Sequence, residues 1–175
     1  MRNSITIVTG GSKCGKSSFA ESLFEKTGGR KIYIATMIPY GEDAQTAIER
    51  HRKMRKDKGF ETIEKYTDID EICLPEKCSV LLECMGNLCA NEMFANNEIS
   101  FPADKIIKGI EKIAAQSEHF VIVTNNVFCD GVSYEKETME YIRSMGEINC
   151  RIAEIADNVI ECVYGIPVVL KGKIL

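Results

Sequence analysis

Between residues 10 and 17 the chain reads Gly-Gly-Ser-Lys-Cys-Gly-Lys-Ser. This is a full match to G-x-x-x-x-G-K-[ST], whose chemistry is the cradling of a nucleoside triphosphate. Each part has a job. Gly10, Gly11 and Gly15 let the backbone of Ser12, Lys13 and Cys14 turn its N–H groups toward a phosphate. Lys16 reaches the β- and γ-phosphates, and the hydroxyl of Ser17 is the expected Mg2+ ligand. A helix that starts at the bound anion adds its dipole and its free N–H groups.

A magnesium-nucleotide site also needs an acid at the end of a neighbouring strand. Glu83 closes the apolar run Ser79-Val80-Leu81-Leu82 and fits, whereas the other internal strands end in Thr36 and Thr124. The second chemical candidate is His51, on a predicted helix over Glu42–Lys58 with Ala44, Ala47, Ile48 and Arg55 on its face. Arg50, Arg52, Lys53, Arg55, Lys56 and Lys58 surround it. Charge runs usually face water, so this segment alone reads as a solvated basic face. A neutral imidazole is also a competent nucleophile toward phosphorus, and flanking cations steady the phosphate and disfavour imidazolium.

The elements that must position these residues follow from periodicity. Ser4–Thr9, Lys31–Thr36, Ser79–Cys84 and Phe120–Thr124 are β-branched or apolar runs that predict strands. Helical patterns run from Ser17 to Phe24, closed by Gly28-Gly29, then over Met85–Asn96, from Pro102 with Ile106, Ile107, Ile110 and Ile113 on one face, and over Tyr134–Ala156. His119 directly precedes a strand and reads as a loop residue. Asn158–Tyr164 and Pro167–Leu170 predict a closing hairpin turning at Gly165. Alternating strands and helices imply a mostly parallel sheet with helices on both faces and ligands at the carboxyl ends of the strands. The expected fold class is therefore α/β: a P-loop NTPase of the RecA-like kind, one nucleotide-binding domain over residues 1–175, ending in a hairpin.

Bulk properties narrow the function. Hydrophobic residues make up 45% and charged residues 27% of the chain, the balance of a globular protein. A net charge of −4 argues against general nucleic-acid binding. No apolar run is long enough for a membrane helix or a secretory signal, so a cytoplasmic location is expected. The eight cysteines form no C-x-x-C pair and read as reduced structural thiols.

The sequence resembles the bifunctional adenosylcobinamide kinase / adenosylcobinamide-phosphate guanylyltransferase family of cobalamin biosynthesis. The resemblance rests on Val8-Thr9-Gly10-Gly11 with Gly15-Lys16-Ser17, Tyr33-Ile34-Ala35-Thr36, and Ile48-x-x-His51-x-x-x-Arg55. It continues through Leu81-Leu82-Glu83-Cys84 with Asn91, Val123-Thr124-Asn125, Gly146-x-x-Asn149 and Gly165-x-Pro167. It implies phosphorylation of adenosylcobinamide with ATP or GTP, then transfer of GMP from GTP through a covalent guanylyl-histidine at His51. It further implies nucleotide contacts at Gly10–Ser17, Ala35, Thr36, Met37, Arg52, Lys53, Met54, Arg55, Glu64 and Glu83, a corrinoid substrate, and a homotrimer. A kinase without the transferase step and a nucleotide-dependent switch are the alternative readings. Four stretches depart from the family pattern: Met54-Arg55-Lys56 stands for Gly-Arg-Pro after the histidine, Gly86 for Thr, Asn125-Asn126-Val127-Phe128 for Asn-Glu-Val-Gly, and Tyr141-Ile142-Arg143 for Phe-Arg-Asp.

Overall fold

A computed structural model describes residues 3–76, 78–95, 99–126 and 131–174. The side chains of Asp43, Ala47, His51, Met54 and Arg55, and position 128, lie outside the described residues.

Six strands run parallel: β1 (Ser4–Thr9), β2 (Arg30–Ala35), β3 (Phe60–Glu64), β4 (Cys78–Glu83), β5 (Ser117–Val123) and β6 (Asn158–Val163). The last strand, β7 (Ile166–Lys171), returns antiparallel to β6. The sheet order is β3-β2-β4-β5-β1-β6-β7. The helices are α1 (Lys16–Ser22), α2 (Gly41–Arg55), α3 (Met85–Met93), α4 (Ala103–Gln116) and α5 (Lys136–Ile155). A 3-10 turn covers Ile69–Glu71.

The central strands are apolar because both faces are covered. All six residues of β4 are buried. On one face Ile32, Ile34, Val80, Leu82, Phe120 and Ile122 pack under α3, α4 and α5, with Ile106, Ile110, Ile113, Met145, Ile148 and Ile152 filling the space. On the other face the smaller cluster of Val8, Tyr33, Leu81, Val121 and Val123 is capped by Ala20 of α1 and by Phe24 just after it. At about 25 cal/mol per Å2 of apolar surface removed from water, burial of this kind is the main driving force for the fold.

The mostly parallel sheet with its terminal hairpin is as expected. The hairpin turns through Tyr164 and Gly165, both at positive φ of 51° and 83°, the geometry that matches the right-handed twist of the flanking strands. Three details differ from expectation. First, α1 stops at Ser22, well before Gly28-Gly29. Its end tightens into i→i+3 bonds, with Phe24 N–H donating to Glu21 O at 3.1 Å and Glu25 N–H to Ser22 O at 3.1 Å. Second, Phe60–Glu64 forms an additional edge strand. Its Glu61 and Thr62 are exposed, so no apolar run announces it. Third, His119 lies within β5, not in a loop. It pairs in register with Ser4 and with Ser79, and Ser4 Oγ contacts His119 Nδ1 at 2.9 Å. The strand starts earlier because α4 runs directly into it at Ser117.

Candidate functional site

The phosphate loop joins β1 to α1. Gly10 and Gly15 have φ of 147° and 95°, and Lys13 also takes a positive φ of 56°. A side chain at Gly10 would place its Cβ 2.6 Å from Cys14 Sγ and 2.6 Å from the Cys162 carbonyl oxygen, so the loop closes only around a glycine. The Gly165 N–H donates to Cys14 O at 2.9 Å, which ties the loop to the β6–β7 turn. Lys16, the first residue of α1, is buried and folds back so that Nζ donates to Gly11 O at 2.8 Å.

Ser17 and Glu83 come together across the sheet. The serine hydroxyl donates to Glu83 Oε1. Tyr33 of β2 donates its phenol to Glu83 Oε2 at 2.9 Å. The carboxylate, nearly buried at the end of β4, is thereby aimed at the loop.

A cavity of about 630 Å3 opens over these groups. Ser12, Lys13, Cys14, Gly15, Lys16 and Ser17 line one side. Ala35, Met37, Ile48, Arg50, Arg52 and Glu64 line the side formed by β2, α2 and β3. Glu83, Cys84, Asn87 and Asn125 line the floor between them. This volume lies within the ordinary range for a small-molecule site. Arg52 pairs with Glu64 at 3.0 Å, and the Tyr66 phenol donates to Glu64 at 3.1 Å. Burial, then the bond to Glu64, raises the Tyr66 phenol above its usual range. Burial likewise raises the Cys84 thiol and keeps it neutral beside Glu83.

Thr36 is placed differently from its neighbours. It is buried, and its Oγ1 donates to Cys84 O at 2.8 Å while accepting from Cys84 N–H at 2.8 Å. Asn91 Nδ2 donates to the Thr36 carbonyl at 2.8 Å and to the Tyr66 carbonyl at 3.0 Å. These bonds fix the ends of β2 and β4, and Thr36 is not among the cavity-lining residues. Lys53 is exposed and also outside the lining. Gly10 and Gly11, at the start of the loop, are likewise not among the lining residues. His51 sits on α2, three residues beyond the lining residue Ile48. Its side chain and those of Met54 and Arg55 lie outside the described residues.

Tyr33, Tyr66, Asn87 and Asn125 also line the cavity, beyond the positions that the motifs and the resemblance name as nucleotide contacts. Tyr33 carried a signal, because it alternates with Ala35 on one face of β2. Tyr66 and Thr62 carry no such signal, because the mostly exposed β3 has no apolar run to announce it.

The profile of a family described as cobinamide kinase / cobinamide phosphate guanyltransferase matches residues 6–170. The chain is 29% identical to the bifunctional adenosylcobalamin biosynthesis protein CobU of Escherichia coli over 181 aligned positions, covering 94% of this chain and 98% of the relative. It is likewise 29% identical to the protein of the same name from Salmonella typhimurium, with the same coverage. With its phosphate loop facing Glu83 and its seven-stranded sheet matched almost end to end, the chain belongs to the cobinamide kinase / cobinamide phosphate guanyltransferase family.

Proposed function

We propose that this enzyme phosphorylates the aminopropanol hydroxyl of adenosylcobinamide with ATP or GTP, then transfers GMP from GTP to that phosphate. The observation that carries the reading is a single cavity walled on one side by the phosphate loop and on the other by α2, the helix of His51. One half of the site suits the γ-phosphate, and the other suits the α-phosphate.

For the kinase step, Lys16 and the loop N–H groups hold the β- and γ-phosphates. Ser17 and Glu83 offer adjacent hard oxygen donors, the donor chemistry that Mg2+ prefers. Bound there, Mg2+ would neutralise charge on the β- and γ-phosphates. For the transfer step, an imidazole nitrogen of His51 attacks the α-phosphorus of GTP, and the bond to pyrophosphate breaks. The phosphate oxygen of the acceptor then attacks the guanylyl phosphorus, the P–N bond breaks, and His51 is released. Arg52 and Arg50, both in the lining, supply cationic donors for the phosphates.

Incubation with α-labelled GTP and Mg2+ should label the protein, and His51→Ala should abolish the label while γ-phosphoryl transfer to adenosylcobinamide persists. Wild-type protein that never takes up the α-label would refute the transferase half.

We further propose a homotrimer working in the cytoplasm, where both triphosphates are available. The exposed apolar side chains Ile166, Val168, Val169 and Leu170 on the edge strand β7 support self-association. Light scattering checks this: a monomer at micromolar concentration would overturn it.

A further inference from the structure

The sheet order puts β5 between β1, which feeds the phosphate loop, and β4, which ends in Glu83. The residues that follow β5 therefore emerge between the loop lysine and the acid. In a parallel α/β sheet that crevice is where ligands lie, and under the function proposed above it receives the last phosphate of the triphosphate. Thr124 is buried, and Asn125 after it lines the cavity together with Lys16, Ser17 and Glu83.

The backbone of Asn125 is fixed from two directions. Asn149 Nδ2 donates to the Asn125 carbonyl at 3.4 Å. The next N–H, that of Asn126, donates to the Gly10 carbonyl at 3.2 Å, which fastens this segment to the phosphate loop itself. Asn149 is held in turn by the Thr124 hydroxyl, which donates to its Oδ1 at 2.7 Å. The Asn125 side chain, by contrast, is only lightly engaged. Among the described residues its Nδ2 makes one weak contact, to Cys84 Sγ at 3.9 Å. Room beside it depends on Gly86, where a Cβ would stand 3.0 Å from that nitrogen. A donor on a rigid mount, with its own capacity largely unspent, is preorganised for charge that develops during reaction.

We propose that Asn125 is a catalytic residue of phosphoryl transfer, its Nδ2–H donating to a γ-phosphoryl oxygen of the bound triphosphate. This rests on the kinase half of the function proposed above. In the step it serves, the acceptor oxygen bonds to the γ-phosphorus as the bond from that phosphorus to the β,γ-bridging oxygen breaks. The diphosphate carries away the electron pair, and the acceptor proton goes to solvent. The amide takes no proton. It stabilises negative charge on the phosphoryl oxygens in flight. Guanylyl transfer occurs at the α-phosphorus and does not require this donor for its chemical step.

The test compares wild type with Asn125→Ala and with Gly86→Ala, whose new methyl crowds the amide. In Asn125→Ala, kcat for γ-phosphoryl transfer to adenosylcobinamide should fall about a hundredfold, the usual effect of deleting one such donor. The rate of α-label incorporation at saturating GTP should fall by at least about tenfold less than phosphoryl transfer does, since it runs at a different phosphorus. Calorimetry with the non-hydrolysable imido analogue of ATP and with ADP gives a readout independent of any acceptor. Asn125→Ala should weaken the analogue about tenfold and leave ADP within about twofold, as expected for one lost charge-assisted bond. Gly86→Ala should shift both readouts in the same direction by less.

Undiminished phosphoryl transfer in Asn125→Ala would overturn the proposal. So would a parallel fall in both activities, or equal weakening of analogue and ADP. If wild type fails to phosphorylate adenosylcobinamide but the triphosphate-specific loss is seen, the functional reading fails while the γ-phosphate contact stands.

Discussion

Glu21 and Lys58 tie the phosphate-loop helix to the segment just after α2. Lys58 Nζ lies 2.6 Å from Glu21 Oε2, and the Glu21 side chain is fully buried. The other carboxylate oxygen, Oε1, has no hydrogen-bond partner among the described residues, so Lys58 carries most of the compensation for a buried charge. Lys58→Met removes that compensation and leaves the carboxylate behind. Breaking a buried ion pair from one side costs roughly 3–5 kcal/mol. The Lys58 side chain keeps 34% of its exposure, so water already reaches the cation. We therefore expect the lower end, about 2–3 kcal/mol, or a fall in Tm of about 5–10 °C for a chain of this size. Urea unfolding at neutral pH with an unchanged m-value is the assay. The double variant Glu21→Leu with Lys58→Met leaves no buried charge and should recover to within about 1 kcal/mol of wild type. A Lys58→Met loss below about 0.5 kcal/mol, the scale of an ordinary surface change, would refute the reasoning. So would a double variant weaker than Lys58→Met alone.

Other expectations follow from the same geometry. Lys16→Ala removes the cation proposed to hold the β- and γ-phosphates and should lower both proposed activities by about a hundredfold or more; steady-state kinetics with each triphosphate checks this. Burial pushes the Cys89 thiol up to about 12 and raises that of Cys84. Thiolate is the reactive form, so at pH 8 iodoacetamide should modify the exposed Cys73 and Cys150 well before either of them, as mass spectrometry of timed samples will read. Lys105, then Thr67, holds the Asp68 carboxyl below its usual range. A depressed carboxyl contributes stability that is present above its unfolded pKa and lost as pH falls through the folded one. Asp68→Asn should therefore lower stability at pH 6 by no more than about 1 kcal/mol, the pair being partly exposed, and the gap should close below the acidic range where Asp68 titrates.

Much of the site was legible as sequence because its critical part is contiguous. Gly10 to Ser17 is one loop on one strand and one helix, so spacing alone states the phosphate chemistry. Glu83 was legible for a related reason: β4 is buried on both faces, and a charge that ends such a run stands out. Phe60–Glu64 was not legible, because an edge strand needs no apolar alternation when one side faces water. With it went Tyr66 and the surroundings of Glu64. Thr36 sits beside Ala35 and Met37 in sequence, yet its hydroxyl is spent on the Cys84 backbone.

The sequence by itself determined that a phosphate-loop motif follows the first strand and that an acid and a basic helix accompany it. Only the tertiary structure decided which residues share the cavity. The reason is the strand order. Local pattern dictates that β1, β4 and β5 form, but their adjacency is set by how helices cover the two faces. That adjacency brings Ser17 to Glu83 and sets Asn125 between the phosphate loop and the acid, at separations along the chain that no motif spans.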